Sequence, residues 1–204
     1  MQPILSGKQI AIVLTDGFEQ AELTGPREAL QQAGATTVLI SDKPGKVQGF
    51  NHDAKADQFD VDQLLADADP QAFDGVLLPG GVMNADTIRM DPQARRFVQA
   101  IDAANKPVAV ICHGAWLLVS AGLVDGHTLT SWPSLQDDIR NAGGNWVDQE
   151  VVVDANWVSS RKPADIPAFN GELVELLGSQ DGAAAGAAAA AERAGQGAAP
   201  SANA

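Results

Sequence analysis

The sequence predicts a single α/β domain in which helices cover both faces of a mainly parallel sheet. Short apolar runs rich in branched side chains alternate with segments of helical periodicity, an order typical of right-handed βαβ units. The strand-like runs are apolar throughout, which indicates burial on both faces. With 204 residues, of which 45% are hydrophobic, the chain is long enough for one domain with a sizeable core.

The predicted elements keep this alternation along the chain. Strands are expected at KQIAIVL, TTVLIS, DGVLL and PVAVIC, and VVVDANWVSSR is expected to form two strands around Asp154 and Asn156. Helices are expected at AELTGPREALQQAG, DPQARRFVQAIDAANK, GAWLLVSAGL, PSLQDDIRNAGG and PADIPAFNGELVELLG. Residues 42–72 carry clusters of Pro, Gly and Asp and are expected to be loop, with one weak helical patch at VDQLLADA.

The domain is expected to span residues 1–178. Residues 179–204 are half alanine, mixed with Gly, Ser and Gln, and lack an apolar face large enough to dock, so a disordered tail is expected there. The net charge of −13 opposes binding to nucleic acid or to an anionic membrane. A single cysteine forms no intramolecular disulfide, and neither a secretory signal nor a bilayer-length apolar run is present, so the expected location is the cytoplasm.

Three loops are expected to meet at one edge of the predicted sheet. In parallel sheets, reactive groups gather beyond the carboxyl ends of the strands, and the loops at those ends are residues 16–22, 79–86 and 112–114. Neither His52 nor His127 has metal-ligand spacing around it, so no metal and no cofactor is expected. The chemistry is therefore sought in the side chains of these loops.

Cys112, the single cysteine, ends a predicted strand, and a predicted helix begins within two residues. A lone cysteine after an apolar run is commonly a packed core residue. At a strand-to-helix turn, however, the side chain lies beside the positive end of the helix, which lowers the pKa of a thiol and favours the nucleophilic thiolate. Gly114 allows the sharp turn that this placement needs.

AVICHGAWLLVSAG, with LLPGGVMNAD upstream and LTSWPSLQDDIRNAG downstream, resembles the PfpI/ThiJ superfamily over about residues 8–177. The most specific part is the strand–Cys–His–Gly turn combined with PGG and the early FEQAEL. This superfamily includes intracellular PfpI-type proteases, bacterial general stress proteins and the parkinsonism-associated deglycase. The resemblance implies a flavodoxin-like three-layer α/β sandwich.

By this resemblance, Cys112 is the nucleophile and Glu22 is the acid whose carboxyl touches its sulfur. A carboxylate and a thiolate in contact cannot both stay ionised cheaply, so the pair is expected to share one proton, with a neutral Glu22 donating to the thiolate. The alternative is that Glu22 is a solvated acid at a helix start. Glu19, three residues earlier, is a rival for the same role.

The remaining candidates lie on the same loops. The resemblance implies that His113 acts as a base and that Asp86 of VMNAD is the nearest match to its orienting acid, often supplied across a subunit contact, although the protease branch tends to have glutamate at a slightly shorter spacing. Gly80 and Gly81 are either plain turn residues or direct N–H groups, with that of His113, at a developing oxyanion. Trp132 is a secondary candidate that either reaches the pocket or packs in the core.

These residues predict a cysteine-dependent hydrolase of stress defence, in which a thiolate attacks an electrophilic carbonyl. The resemblance leaves protein deglycation, conversion of methylglyoxal to lactate, and peptide hydrolysis open, so the expected substrates are small carbonyl compounds or glycated or unfolded polypeptides. It also implies a homo-oligomer, a dimer or larger. One alternative is a redox sensor that oxidises Cys112 without turnover. A class I glutamine amidotransferase-like protein is disfavoured because no His–acid pair follows His127 in the sequence.

Overall fold

A seven-stranded sheet forms the centre of the computed structural model, which describes residues 3–179. The strands of this sheet and of two small sheets are, in chain order, β1 (Gln9–Val13), β2 (Phe18–Glu19), β3 (Thr36–Ser41), β4 (Lys46–Asn51), β5 (Ala54–Asp60), β6 (Gln63–Leu64), β7 (Gly75–Leu78), β8 (Val108–Ile111), β9 (Thr128–Leu129), β10 (Asn145–Trp146), β11 (Val151–Asp154) and β12 (Trp157–Ser160). The central order is β11-β12-β8-β7-β1-β3-β6. Its neighbours are parallel except in the hairpin β11–β12. The predicted α/β fold is confirmed.

Helices follow most of the central strands. They are α1 (Gln20–Gln32), α2 (Val82–Ile88), α3 (Pro92–Ala103), α4 (Ala115–Ser120), α5 (Gln136–Asn141) and α6 (residues 166–179). Short 3-10 turns cover Leu65–Asp67, Pro70–Ala72, Cys112–Gly114, Pro133–Leu135 and Pro163–Asp165. The start of α3 shows how the sequence sets a helix end: the Asp91 side chain accepts hydrogen bonds from two N–H groups of the first turn, and Pro92 stands in the first helical position.

Two hydrophobic layers lie on opposite faces of the central sheet. Successive side chains of a strand point to opposite faces, and in β8 Val108 and Val110 belong to one layer while Ala109 and Ile111 belong to the other. The first layer also contains Phe97, Leu118 and Ile139 of α3, α4 and α5, and the second contains Leu23, Phe169 and Leu173 of α1 and α6. The apolar strands are buried on both faces, as the sequence predicts.

Two segments differ from the sequence prediction. Residues 42–72 were expected to be loop, but they contain the antiparallel hairpin of β4 and β5, which pairs with β2 in a three-stranded sheet. The weak helical patch at residues 61–68 contains β6 and a single 3-10 turn. Helix α2, directly after the glycine turn, was not predicted either. The predicted tail lies outside the described residues, apart from Ser179, which is helical.

Within residues 3–179, no helix has both the length and the apolar character needed to cross a membrane.

Candidate active site

Cys112 lies at the turn that joins β8 to α4. Its φ angle is 61°, in the left-handed region that non-glycine residues rarely adopt and that costs on the order of 1–3 kcal/mol. The turn presents the side chain to a cavity of about 680 Å³. The residue is nevertheless only 6% exposed and packs on the second hydrophobic layer. The thiol is therefore a largely buried group at the floor of an open cavity.

Glu22 lies against this thiol, and the two side chains interact. It is carried by the first turn of α1 and is fully buried. Its Oε2 accepts a hydrogen bond of 2.8 Å from the N–H of Gly80, while Oε1 is buried without a hydrogen-bond partner among the described residues. Burial, with a smaller contribution from the charge of Glu19, raises the pKa of Glu22 to about 8. The carboxyl is therefore mostly protonated at neutral pH.

The thiol pKa is also affected by burial. Burial is the largest cause that raises the pKa of Cys112, and negative charge on Glu22 raises it further, while the N–H groups of His113 and Gly81 act in the opposite direction. The expected lowering of the thiol pKa at the helix start is therefore wrong. Because ionisation of either partner opposes ionisation of the other, the carboxyl and the thiol titrate as a pair.

The imidazole of His113 lies beside the sulfur, with 3.2 Å between Nδ1 and Sγ. Burial lowers the pKa of His113 to about 4, so the ring is neutral at neutral pH. It packs between Trp116 and Trp132, with centroid distances of 5.4 and 5.7 Å. No carboxylate among residues 3–179 hydrogen-bonds this ring. Asp86 is exposed on α2 and lines a neighbouring cavity that does not include Cys112, so it does not orient the imidazole within one chain.

The glycine turn after β7 contacts both members of the reactive pair. The N–H of Gly80 is occupied by Glu22, so the expectation that it faces an oxyanion is wrong. The N–H groups of Gly81 and His113 instead face the thiol. A Cβ at position 80 would lie 2.6 Å from Glu22 Oε2 and 2.7 Å from Cys112 Cβ. Only glycine therefore allows the turn to approach the pair this closely.

The cavity wall includes two further sequence candidates together with residues that the sequence did not single out. Glu19 and Trp132 both line it, and Trp132 is 39% exposed rather than packed in the core. Glu19 does not bond the thiol; its Oε2 accepts a hydrogen bond of 3.0 Å from the N–H of His52. The wall also includes Phe50, His52, Asp53, Val82, Met83 and Pro163. Phe50, His52 and Asp53 belong to the hairpin of β4 and β5, which the sequence did not predict because its strands are polar.

Asn84 in the first turn of α2 is a further residue that sequence reasoning missed. It is fully buried. Its Oδ1 accepts a hydrogen bond of 2.7 Å from the N–H of Thr15, and its Nδ2 donates to the carbonyl oxygens of Pro79 at 3.0 Å and Gly80 at 2.9 Å. The side chain thus ties the glycine turn to the end of β1. The one signal in the sequence was an amide residue shortly after a glycine pair.

Comparison with known proteins identifies the family. The sequence profile of the DJ-1/PfpI family matches residues 8–176. The chain belongs to the DJ-1/PfpI family. Its relatives include protein/nucleic acid deglycase 2 of Escherichia coli, 40% identical over 173 residues that make up 84% of this chain and 98% of the relative. The putative cysteine protease YraA of Bacillus subtilis is 39% identical over 170 residues, 83% and 98% of the two chains.

Solved structures agree with this assignment. The crystal structure of DJ-1beta from Drosophila melanogaster matches with a TM-score of 0.77 and 26% identity, and the match covers 84% of this chain and 90% of that one. The resemblance to the PfpI/ThiJ superfamily that the sequence predicted is thus confirmed.

His127, unlike His113, has a carboxylate partner, and this pair lies at the other edge of the sheet. His127 Nδ1 is 3.1 Å from Asp154 Oδ2, and the imidazole stacks on Trp157 at 4.1 Å. Trp157 pairs with Val108 at the start of β8, whereas Cys112 follows the end of that strand, so this pair is remote from the thiol. Among residues 3–179, no group of three or more His, Cys, Asp or Glu side chains is arranged to hold a metal ion.

Proposed function

We propose that this DJ-1/PfpI family member is an enzyme that uses Cys112 to convert α-oxoaldehydes, free or added to protein, into 2-hydroxy acids. One observation carries the proposal: the thiol faces an open cavity with a protonated carboxyl beside it and two main-chain N–H groups directed at it. The relative from Escherichia coli is named a protein/nucleic acid deglycase, which supports glycated substrates. Peptide hydrolysis is less favoured, because the imidazole of His113 has no orienting carboxylate within the described part of the chain.

The reactive form in this proposal is the pair that has lost one proton. Because burial raises the pKa of Glu22 to about 8, the first proton leaves the pair near that pH. Because burial raises the pKa of both groups, the attacking form is the minor one of this state: the remaining proton sits on the carboxyl, and the sulfur is a thiolate that accepts hydrogen bonds from the N–H groups of Gly81 and His113. The rate of attack is therefore expected to rise with pH up to about 8.

The proposed steps keep atoms and protons in balance. An aldehyde held on protein as a hemiaminal or hemithioacetal is first released by reversal of that addition, which returns the proton to the protein side chain. The thiolate then adds to the aldehyde carbon, the electrons of the C=O bond move to oxygen, and the two N–H groups stabilise the oxyanion until Glu22 protonates it. The Glu22 carboxylate then removes the proton on the former aldehyde carbon, and the electrons of that C–H bond form an enediolate with the neighbouring carbonyl. Glu22 returns the proton to the neighbouring carbon, and the proton of the first hydroxyl passes to the second oxygen, which leaves an S-acyl group with a hydroxyl on the adjacent carbon. Water cleaves this thioester to release the hydroxy acid and the thiol. Overall, one water is consumed, and nothing is oxidised or reduced by an external group.

Asp86 enters this proposal only through a second copy of the chain. In one chain it is exposed and lines a different cavity. The apolar side chains of Val82 and Met83 on the same short helix are 54% and 51% exposed, as expected for a surface that a second subunit covers. If Asp86 acts across such a contact, the Asp86→Asn variant is less active than the wild type where the protein is oligomeric. Where dilution has separated the subunits, the variant and the wild type are equally active. Light scattering at each assay concentration gives the oligomeric state.

Turnover by matched variants tests the proposed function. Methylglyoxal, a peptide treated with methylglyoxal, and a fluorogenic peptide are each given to the wild type, Cys112→Ala and Glu22→Gln. The control is Glu28→Gln, an exposed carboxyl on the same helix as Glu22. Lactate formation is expected to disappear with Cys112→Ala, to fall by about a hundredfold or more with Glu22→Gln, and to stay unchanged in the control.

Three results would contradict the proposal. Lactate formation by Cys112→Ala at the wild-type rate would exclude the thiol as the nucleophile. Cleavage of the fluorogenic peptide without any lactate would favour a peptidase. Peroxide-sensitive Cys112 with no sustained turnover of any substrate would favour the redox sensor.

A further inference from the structure

We propose that Asn84 is a positioning residue that orients the two peptide groups facing the Glu22–Cys112 pair, and so sets the reactivity of the thiol. This inference rests on the proposed function, because it concerns the same nucleophile. Asn84 does not touch the sulfur; it acts through the glycine turn.

The surroundings of Asn84 leave its side chain little freedom. It is fully buried, and its amide makes three hydrogen bonds of 2.7 to 3.0 Å, one accepted from Thr15 and two donated to the carbonyl oxygens of Pro79 and Gly80. A buried amide that donates both hydrogens to main-chain carbonyls holds those carbonyls in place, since an unpaired buried donor or carbonyl is costly.

Because the peptide group is planar, a fixed carbonyl also fixes the direction of the N–H in the same plane. In a trans peptide the N–H points away from the C=O of the same plane. The carbonyl of Pro79 shares its plane with the N–H of Gly80, and the carbonyl of Gly80 shares its plane with the N–H of Gly81. Because Asn84 holds both carbonyl oxygens on its own side, both N–H groups point to the opposite side.

Both members of the pair lie on that opposite side. The N–H of Gly80 donates to Glu22 Oε2 at 2.8 Å, and the N–H of Gly81 faces the thiol of Cys112. Both contacts favour the ionised pair: the first lowers the pKa of Glu22 and the second lowers the pKa of Cys112. One buried side chain thus holds both carbonyl groups of the glycine turn, and the N–H of Glu19 adds a longer hydrogen bond of 3.4 Å to the carbonyl of Gly80.

Loss of the Asn84 amide is therefore expected to make the thiol harder to ionise. Without it, the two peptide planes can rotate, and the pair loses hydrogen bonds that its charged form needs. The pH at which Cys112 reaches half its maximal alkylation rate is expected to rise by about one unit or more, which corresponds to roughly a tenfold slower alkylation at pH 7.

Alkylation of Cys112 by iodoacetamide across pH 6–10 tests this, in the wild type, Asn84→Ala and a matched control. The control is Asn156→Ala. Asn156 is also buried, and its amide also donates two hydrogen bonds, to Asp102 at 3.2 Å and Lys106 at 2.9 Å, at the opposite edge of the sheet. Both variants are expected to lose stability, which thermal unfolding measures. Only Asn84→Ala is expected to shift the alkylation midpoint.

A folded Asn84→Ala protein whose midpoint matches the wild type would overturn the inference, and so would an equal shift in Asn156→Ala. If Asn84→Ala does not fold, Asn84→Ser, which keeps one short donor, is compared with Asn156→Ser under the same criterion. Alkylation requires no turnover, so these outcomes are independent of the lactate assay: the proposed function can fail while the positioning role holds, and the reverse.

Discussion

Replacement of Glu22 by glutamine is expected to stabilise the folded protein at alkaline pH while it removes activity. Burial raises the pKa of Glu22 from the ordinary glutamate value of 4.5 to about 8. As the pH rises through this interval, the unfolded chain loses its proton first and the folded chain retains it, so the free energy of unfolding falls. Glutamine has nearly the same shape and does not ionise, so the variant escapes this loss.

The size of the effect follows from the two pKa values. One pKa unit corresponds to about 1.4 kcal/mol, so the interval from 4.5 to about 8 gives an upper limit of roughly 5 kcal/mol. Water that enters when the carboxyl ionises reduces this amount. We therefore expect the stability difference between Glu22→Gln and the wild type to grow in favour of the variant by roughly 2–4 kcal/mol from pH 5 to pH 8.

Urea unfolding at pH 5, 6, 7 and 8 measures this difference, with Glu28→Gln as the control. The control carboxyl is exposed, so its difference from the wild type is expected to stay constant across the same range. A Glu22→Gln difference that is also constant from pH 5 to pH 8 would refute the reasoning, because it would mean that Glu22 ionises alike in the folded and unfolded chains.

Three further predictions address the rest of the structure. Gly80→Ala is expected to cost about 1–3 kcal/mol of stability and most of the activity, because the methyl group overlaps the reactive pair. The control is Gly171→Ala in α6, where a Cβ would meet nothing within 4 Å; it is expected to be neutral or slightly stabilising. Equal losses of stability in the two variants would contradict this prediction. The ring protons of His113, whose pKa burial lowers to about 4, are expected to show no NMR titration between pH 5.5 and 8; an inflection near 6.5 would be inconsistent with the buried ring. Asp102→Ala is expected to lower the stability measured by thermal unfolding by about 2–3 kcal/mol, because the indole N–H of Trp157, which donates to Asp102 at 2.6 Å, loses its acceptor. Activity is expected to stay normal, because this contact is far from the cavity. A loss of activity in folded Asp102→Ala protein would contradict that expectation.

The sequence was most informative where burial and local pattern agree. Strands β1, β3, β7 and β8 are apolar runs because both of their faces are covered, so composition alone located them. The turn at Cys112 was found for a related reason, since a strand end followed at once by a helix start fixes which edge of the sheet the residue occupies. Glu22 was likewise predicted to lie at the same edge, because it follows the first strand after a short loop.

The sequence was least informative where contacts between distant segments decide the outcome. The hairpin of β4 and β5 has polar strands with many exposed side chains, so no apolar run marked it, and the cavity residues it contributes were missed. The direction of the thiol pKa was wrong because the helix start was weighed without the burial that the folded chain imposes. Nothing local in the sequence showed that Glu22 occupies the N–H of Gly80, and an amide residue shortly after a glycine pair was too weak a signal to show that Asn84 fixes the turn.

The wall of the Cys112 cavity is drawn from segments as far apart as Gly17 and Pro163. During synthesis, Cys112 is added to the chain about fifty residues before Pro163. Until then its sulfur has no cavity around it and behaves as an ordinary cysteine toward aldehydes and oxidants. The cavity and the buried carboxyl beside the sulfur therefore exist only in the finished fold.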